Sequence, residues 1–200
     1  MVCETDQRCG KDTVGVVSTK SQVLESEIKN FLISQGETDR EDLQETPGRF
    51  LKAMQEMLGG YEEDPAGYLS KQFKSSCDEM ILVKDIPFVS LCEHHMLPFW
   101  GTATVAYVPA GTIVGLSKIP RAVQALARRL QVQERLTDEI ATALQDNIKD
   151  CLGVGVRIVG EHSCMKFRGV KSSGKMTTSK LTGVFRKHSP RAEFLSLCGE

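Results

Sequence analysis

No stretch of this sequence stays apolar for the roughly 18 residues that a membrane-crossing helix needs, so a transmembrane helix is excluded on length. Residues Met1–Lys20 mix acidic and basic side chains around no apolar centre, which is not the make-up of a secretory signal. Charge of one sign is also missing. The 25 Lys and Arg nearly balance 26 Asp and Glu, leaving a net −1 and no global field toward nucleic acid or an anionic membrane. Aromatic residues make up only 6% of the chain, too few for the stacking surface of a nucleic-acid-binding zinc module. No internal repeat or low-complexity segment is present. The seven Cys form an odd count without an export signal, so reduced thiols and a cytoplasmic location are expected, with some thiols free to bind metal.

What is present is ordinary globular material: 40% hydrophobic and 26% charged, in a length that suits one compact unit. The charges are unevenly spread, with acid crowding the N-terminal part and base concentrated in Lys118–Arg129 and Lys166–Lys187. A basic stretch of this kind suits a local anionic ligand.

Met1–Ser18 shows no period and reads as a flexible arm. From Thr19 the pattern turns helical, with Leu24, Ile28, Phe31 and Leu32 on one face and Gly36 as the stop. Thr46-Pro47 starts a second helix, whose stripe of Phe50, Met54, Met57 and Leu58 ends at Gly59-Gly60. Tyr61–Lys74 reads as a connecting loop. Met80–Leu91 is a β-branched strand interrupted by Pro87, which marks an edge or a bulge, and Thr102–Val108 alternates as a half-buried strand. Two helices follow: Ser117 can cap the first, which carries Ala122, Val123 and Leu126. The second carries Leu136, Ile140, Leu144, Ile148 and Cys151. Val156–Phe167 and Thr177–Phe185 read as strands joined by a turn at Lys171–Lys175. Segregated blocks of this order favour an α+β domain, an antiparallel sheet with helices on one face. Four strands would leave two open edges for an oligomer to pair.

Three of the four His and two of the seven Cys fall in two short segments, Cys92-Glu93-His94-His95 and His162-Ser163-Cys164. Cys92 and His95 have the C-x-x-H spacing by which a tight turn presents two ligands to one tetrahedral ion. His162 and Cys164, two apart on an expected strand, would project from one face. Five donors then surround a point where zinc, favoured by thiolate and imidazole, needs three or four. Donors left over can serve as acid and base, which favours a catalytic centre over a structural one. Ser117 at a helix start, flanked by Lys118 and Arg121, offers N–H groups and cations to a phosphate. Glu134 is a carboxylate able to accept from the adjacent N1–H and 2-amino donors of a guanine.

Together these segments closely resemble the GTP cyclohydrolase I family. The matching pieces are ETPGRFLKAM (Glu45–Met54), LCEHH (Leu91–His95), GLSKIPR (Gly115–Arg121), RRLQVQERLT (Arg128–Thr137), EHSCMKFRG (Glu161–Gly169) and TSKLTGVFR (Thr178–Arg186), within a likeness running from Thr19 to Leu197. The resemblance implies one domain over residues 19–200: N-terminal helices in 19–60 and a catalytic core of the tunnelling fold in 80–198. Its four-stranded sheets would join into a barrel in a homo-oligomer, a decamer of two pentamers. It implies zinc (Zn2+) held by Cys92, His95 and Cys164, with His94 and His162 free to move protons and Ser117 handling protons in a later ribose step. It further implies that Arg49, Lys52, Lys118, Arg121 and Arg168 face a triphosphate, some of them across a subunit boundary. Glu134, with help from Gln133, would hold the guanine edge. The implied reaction is hydrolysis of GTP at C8, release of formate and closure to 7,8-dihydroneopterin triphosphate. A 7-cyano-7-deazaguanine reductase shares the architecture but needs a nucleophilic Cys and no zinc, against which the complete CEHH and H-x-C sets argue. A non-catalytic zinc-stabilised subunit would have lost acid, base or substrate residues, and His94, His162, Glu134 and Lys118 are all present.

Overall fold

In the computed structural model, residues 13–37 and 40–199 are described. The chain divides into two compact units, Met1–Gln55 and Glu56–Glu200.

The first unit is helical. Helix α1 (Thr13–Ser34) begins six residues before Thr19, so part of the expected arm is helix, and the arm's first twelve residues lie outside the described ones. Gly36 does stop the helix. It adopts φ +93°, its N–H reaches Ile33 O at 3.0 Å, and the Glu37 N–H reaches Leu32 O at 3.2 Å. That pair of bonds needs the left-handed conformation glycine adopts without strain. Ile28 and Leu32 are half-buried, but Leu24 and Phe31 from the same expected face are exposed. Helix α2 (Thr46–Met57) starts where Thr46-Pro47 placed it.

The second unit is built on a sheet ordered β5-β2-β3-β6-β7. Its long strands, β2 (Ile81–Cys92), β3 (Pro98–Val108), β6 (Gly153–His162) and β7 (Met176–Leu181), pair antiparallel with one another. The two-residue β5 (Leu130–Gln131) adds a short parallel edge against Leu91 and Cys92. Pro87 marks both features expected of it. The β2–β3 register shifts between Val83 and Ile86, with Asp85 at φ 57°, and among the described residues only Leu91 and Cys92 of β2 have a strand on the outer side. Its missing N–H therefore interrupts no ladder. A separate ribbon pairs β1 (Gln72–Lys74) with β4 (Thr112–Val114).

Helices α4 (Lys118–Ala127) and α5 (Gln133–Asn147) lie on one sheet face. They bury Val123, Leu126, Leu136, Ile140 and Leu144 in one cluster with Val105, Tyr107, Val156 and Ile158. The opposite face is not left bare at one end, which corrects the one-faced arrangement. Ala106, whose side chain points away from Val105 and Tyr107 by strand alternation, packs with Phe185 and with Phe194 of α7 (His188–Leu197). The last strand accordingly ends at Leu181 rather than Phe185, and Gly183–Arg186 turns to deliver Phe185 beneath α7. The expected loop Tyr61–Lys74 contains a helical turn, α3 (Pro65–Leu69), capped by the Asp64 carboxylate accepting the Ala66 N–H at 3.0 Å.

Candidate metal centre and active site

Sheet topology alone brings the chemistry-bearing segments to one end of the sheet. Leu91 pairs with Pro98 across the β2–β3 hairpin, so residues 93–97 form its turn. Phe99 pairs with His162, so β6 ends beside the same turn. Because β5 runs parallel to the end of β2, it delivers the first turn of α5, with Gln133 and Glu134, to the same edge.

The turn is tight. Cys92 C=O accepts the His95 N–H at 3.3 Å and the Met96 N–H at 2.8 Å, and Met96 takes φ 54°. This folds His95 back over Cys92, with Sγ to Nδ1 at 3.8 Å. Past His162 the chain does not continue as a strand, contrary to the reading of Val156–Phe167. Ser163–Lys166 form one helical turn, α6, in which the Phe167 N–H bonds Ser163 O at 3.0 Å and the Ser163 hydroxyl donates to Pro98 O. His162 and Cys164 therefore do not share a strand face. The turn swings Cys164 in toward the hairpin, while His162 stays in the sheet.

Ligand atoms of Cys92, His95 and Cys164 lie within 4.8 Å of one another. A tetrahedral zinc site with Zn–S of about 2.3 Å and Zn–N of about 2.0–2.1 Å places sulfur and nitrogen about 3.5 Å apart, and two sulfurs about 3.8 Å apart. The cluster fits that ion with little movement, and three protein ligands leave a fourth position open. Burial pushes the Cys164 thiol up from its ordinary range. The neighbouring Cys92 thiol pushes it further, and Arg168 partly opposes them. A thiol whose ionisation is disfavoured in this way is what a bound dication relieves. His94 also places Nδ1 3.9 Å from Cys92 Sγ but stands outside this mutually close set, exposed, with Nε2 3.8 Å from Glu93.

Of the other expected residues, Arg168 reaches the cluster, its Nη1 3.1 Å from His95 Nε2. Glu134 is exposed in the first turn of α5, near enough for its charge to favour the protonated His162. Burial acts the other way, more strongly, and holds the His162 pKa below the ordinary imidazole range. Ser117, Lys118 and Arg121 gather at the start of α4, joined to the cluster by no hydrogen bond or ion pair among the described residues. The Ser117 side chain makes no capping bond, so the cap expected of it is not formed. Arg49, which pairs with Glu45, and exposed Lys52 belong to the first unit. Gln133, expected to help Glu134 hold a guanine edge, has a fully buried side chain turned into the sheet, where it meets Ile158 O, Met176 O and His162 Nε2.

Two partners of the site carry no sequence signal. Phe99 stacks flat on His162, ring centroids 4.6 Å apart at 4°. Arg135 ion-pairs with Glu93 and donates to Gln131 Oε1 at 3.0 Å, fastening the hairpin turn to α5.

A family model described as GTP cyclohydrolase I matches residues 24–199. A GTP cyclohydrolase 1 of Campylobacter jejuni (serotype O:6, strain 81116) is 50% identical over 174 residues, 85% of this chain and 91% of that protein. One from Dehalococcoides mccartyi (strain BAV1) is 45% identical over 181 residues, covering 88% and 95%. One from Porphyromonas gingivalis (strain ATCC 33277) is 50% identical over 162 residues, covering 80% and 83%. Among solved structures, the archaeosine synthase QueF-Like in the apo form covers 55% of this chain and 97% of its own at a TM-score of 0.43 and 14% identity, too distant to place a residue. A family match over residues 24–199, with relatives 45–50% identical over most of their length, shows that the chain belongs to the GTP cyclohydrolase I family.

Proposed function

We propose that the chain is a zinc enzyme that hydrolyses the imidazole ring of GTP, expels C8 as formate and closes the product to 7,8-dihydroneopterin triphosphate. The observation that carries the zinc reading is the convergence of Cys92, His95 and Cys164 within 4.8 Å. Cys92, His95 and Cys164 would hold the zinc, which would supply Lewis acidity for activating water toward the purine C8. His162, kept neutral by burial, takes a proton during attack, and exposed His94 supplies one to a ring nitrogen. Glu134, free at the α5 start, accepts the guanine N1–H and 2-amino groups. Lys118, Arg121 and Arg168 meet the triphosphate, joined by Arg49 and Lys52, with some of these cations supplied by a neighbouring copy. Ser117, exposed before α4, handles a proton in the ribose step.

The outer edge of β7 and most of that of β2 lack a strand partner among the described residues, which supports edge-to-edge assembly into a barrel and a decamer. No helix among the described residues is long and apolar enough to cross a membrane, in keeping with the proposed cytoplasmic site of action. The direct test measures bound zinc and formate from GTP for wild type and for Cys164→Ser. About one zinc per chain with formate release in wild type, and loss of both in the variant, is expected. Full formate release from a zinc-free variant would refute the proposed role of the cluster.

A further inference from the structure

We propose that Gln133 is the positioning residue that fixes the tautomer of His162, holding the proton on Nε2 and keeping Nδ1 as the free lone pair. The inference rests on the reading of His162 as the base of the site.

The argument is one of hydrogen-bond direction. Gln133 is fully buried, and its Nε2 lies 3.3 Å from Ile158 O, 3.0 Å from Met176 O and 3.1 Å from Thr178 Oγ1. Two of those partners are carbonyl oxygens, which only accept, so the amide nitrogen must face them. Exchanging amide O and N would set an oxygen against two carbonyls. The hydroxyls agree. Thr137 donates to Gln133 O at 2.7 Å, so the Thr178 hydroxyl donates to Thr137 Oγ1 at 2.7 Å and is left accepting from Gln133. Every proton in this buried set then has one place. Gln133 Oε1 is left facing His162 Nε2 at 2.9 Å, and an amide oxygen accepts, so Nε2 carries the hydrogen.

Two further features support a device built for this contact. Gly160 lies in β6 where a Cβ would collide with Gln133 Oε1, so the strand is cut away for the amide to reach His162. Phe99, stacked on the imidazole at 4.6 Å, holds the plane of the ring in the direction of that bond. Among the described residues no group bonds Nδ1, which stays available to a proton on substrate or water. Gln133 acts through His162 and touches no reacting atom.

The test is magic-angle-spinning NMR of the zinc-loaded full chain labelled with 15N-histidine, with His162 assigned by its absence from His162→Asn. In wild type above the histidine titration range, Nε2 should be of the protonated type and Nδ1 of the bare type, in a single tautomer. A wild-type His162 protonated on Nδ1 overturns the proposal outright, whatever any variant does. In Gln133→Met, which fills the same space without an acceptor, the His162 Nε2–H should lose its protection from exchange. A second tautomer should appear, and kcat for GTP should fall about tenfold or more with KM within about threefold. Gly160→Ala, which displaces the same oxygen, should reproduce the NMR change. A variant that raises KM at unchanged kcat would place Gln133 on the substrate and contradict the assignment. Failure of wild type to turn over GTP would count against the enzyme reading and leave the tautomer measurement standing.

Discussion

Cys92 and His95 meet because a hairpin turn folds at their spacing, and this much of the site was legible from C-x-x-H alone. Cys164 was found for a reason the structure replaces. The residue expected on a strand beside His162 arrives instead through the α6 turn, and that turn sets the proposed ligand apart from the proposed base. Nothing in the sequence pattern distinguishes a strand that continues through Ser163 from one that ends there. The bond from the Ser163 hydroxyl to Pro98 O, made across the sheet, decides it. The burial of Gln133 is hidden from the sequence for a similar reason: adjacency to Glu134 gives no sign that one side chain faces solvent and the other the sheet. His162→Ala should keep its zinc and lose about 10²–10⁴-fold in kcat, checked by metal analysis beside steady-state kinetics. Arg135→Met, which unfastens Glu93 from α5, should lower zinc affinity by about 10–100-fold in a competition titration while the chain stays folded.

The long elements were legible where periodicity was strong and unforced. The apolar faces of α4 and α5 and the bulge near Pro87 follow from residue type, whereas β3, expected to be half-buried, is covered on both faces from Ala103 to Tyr107. The short elements were missed because tertiary contacts, rather than propensity, hold them. Helix α3 has only Asp64-Pro65 as its signal, and α7 forms because Phe194 has Phe185 and Ala106 to cover. Tyr107 shows how such pieces are tied in: its buried hydroxyl accepts the Val114 N–H at 3.0 Å, fastening β4 to β3. Tyr107→Phe leaves that N–H unpaired and should cost about 1–3 kcal/mol at neutral pH by denaturant titration. Burial raises the Tyr107 pKa, so above about pH 10 the unfolded chain loses a proton that the folded chain keeps. Stability should therefore fall as pH rises through that range in wild type, and less steeply in Tyr107→Phe. An equally steep decline in the variant would assign the alkaline loss to other groups.

For the whole molecule, one chain supplies a sheet with two largely unpaired edges among the described residues and the Cys92, His95 and Cys164 cluster at one end. Light scattering should give a mass near ten times the 22.1 kDa chain. A monomer that turns over GTP at full rate would contradict the shared site. The α+β class and the antiparallel sheet were readable from the order of periods, whereas the proposed barrel would concern other copies and is not encoded in any one chain's alternation. The most direct test of the central claim is incubation with GTP, following formate and pterin absorbance, before and after zinc is chelated and restored. Product that vanishes on chelation and returns with zinc is the predicted result. Undiminished product in the zinc-free protein would contradict the assignment of Cys92, His95 and Cys164 as the catalytic metal centre.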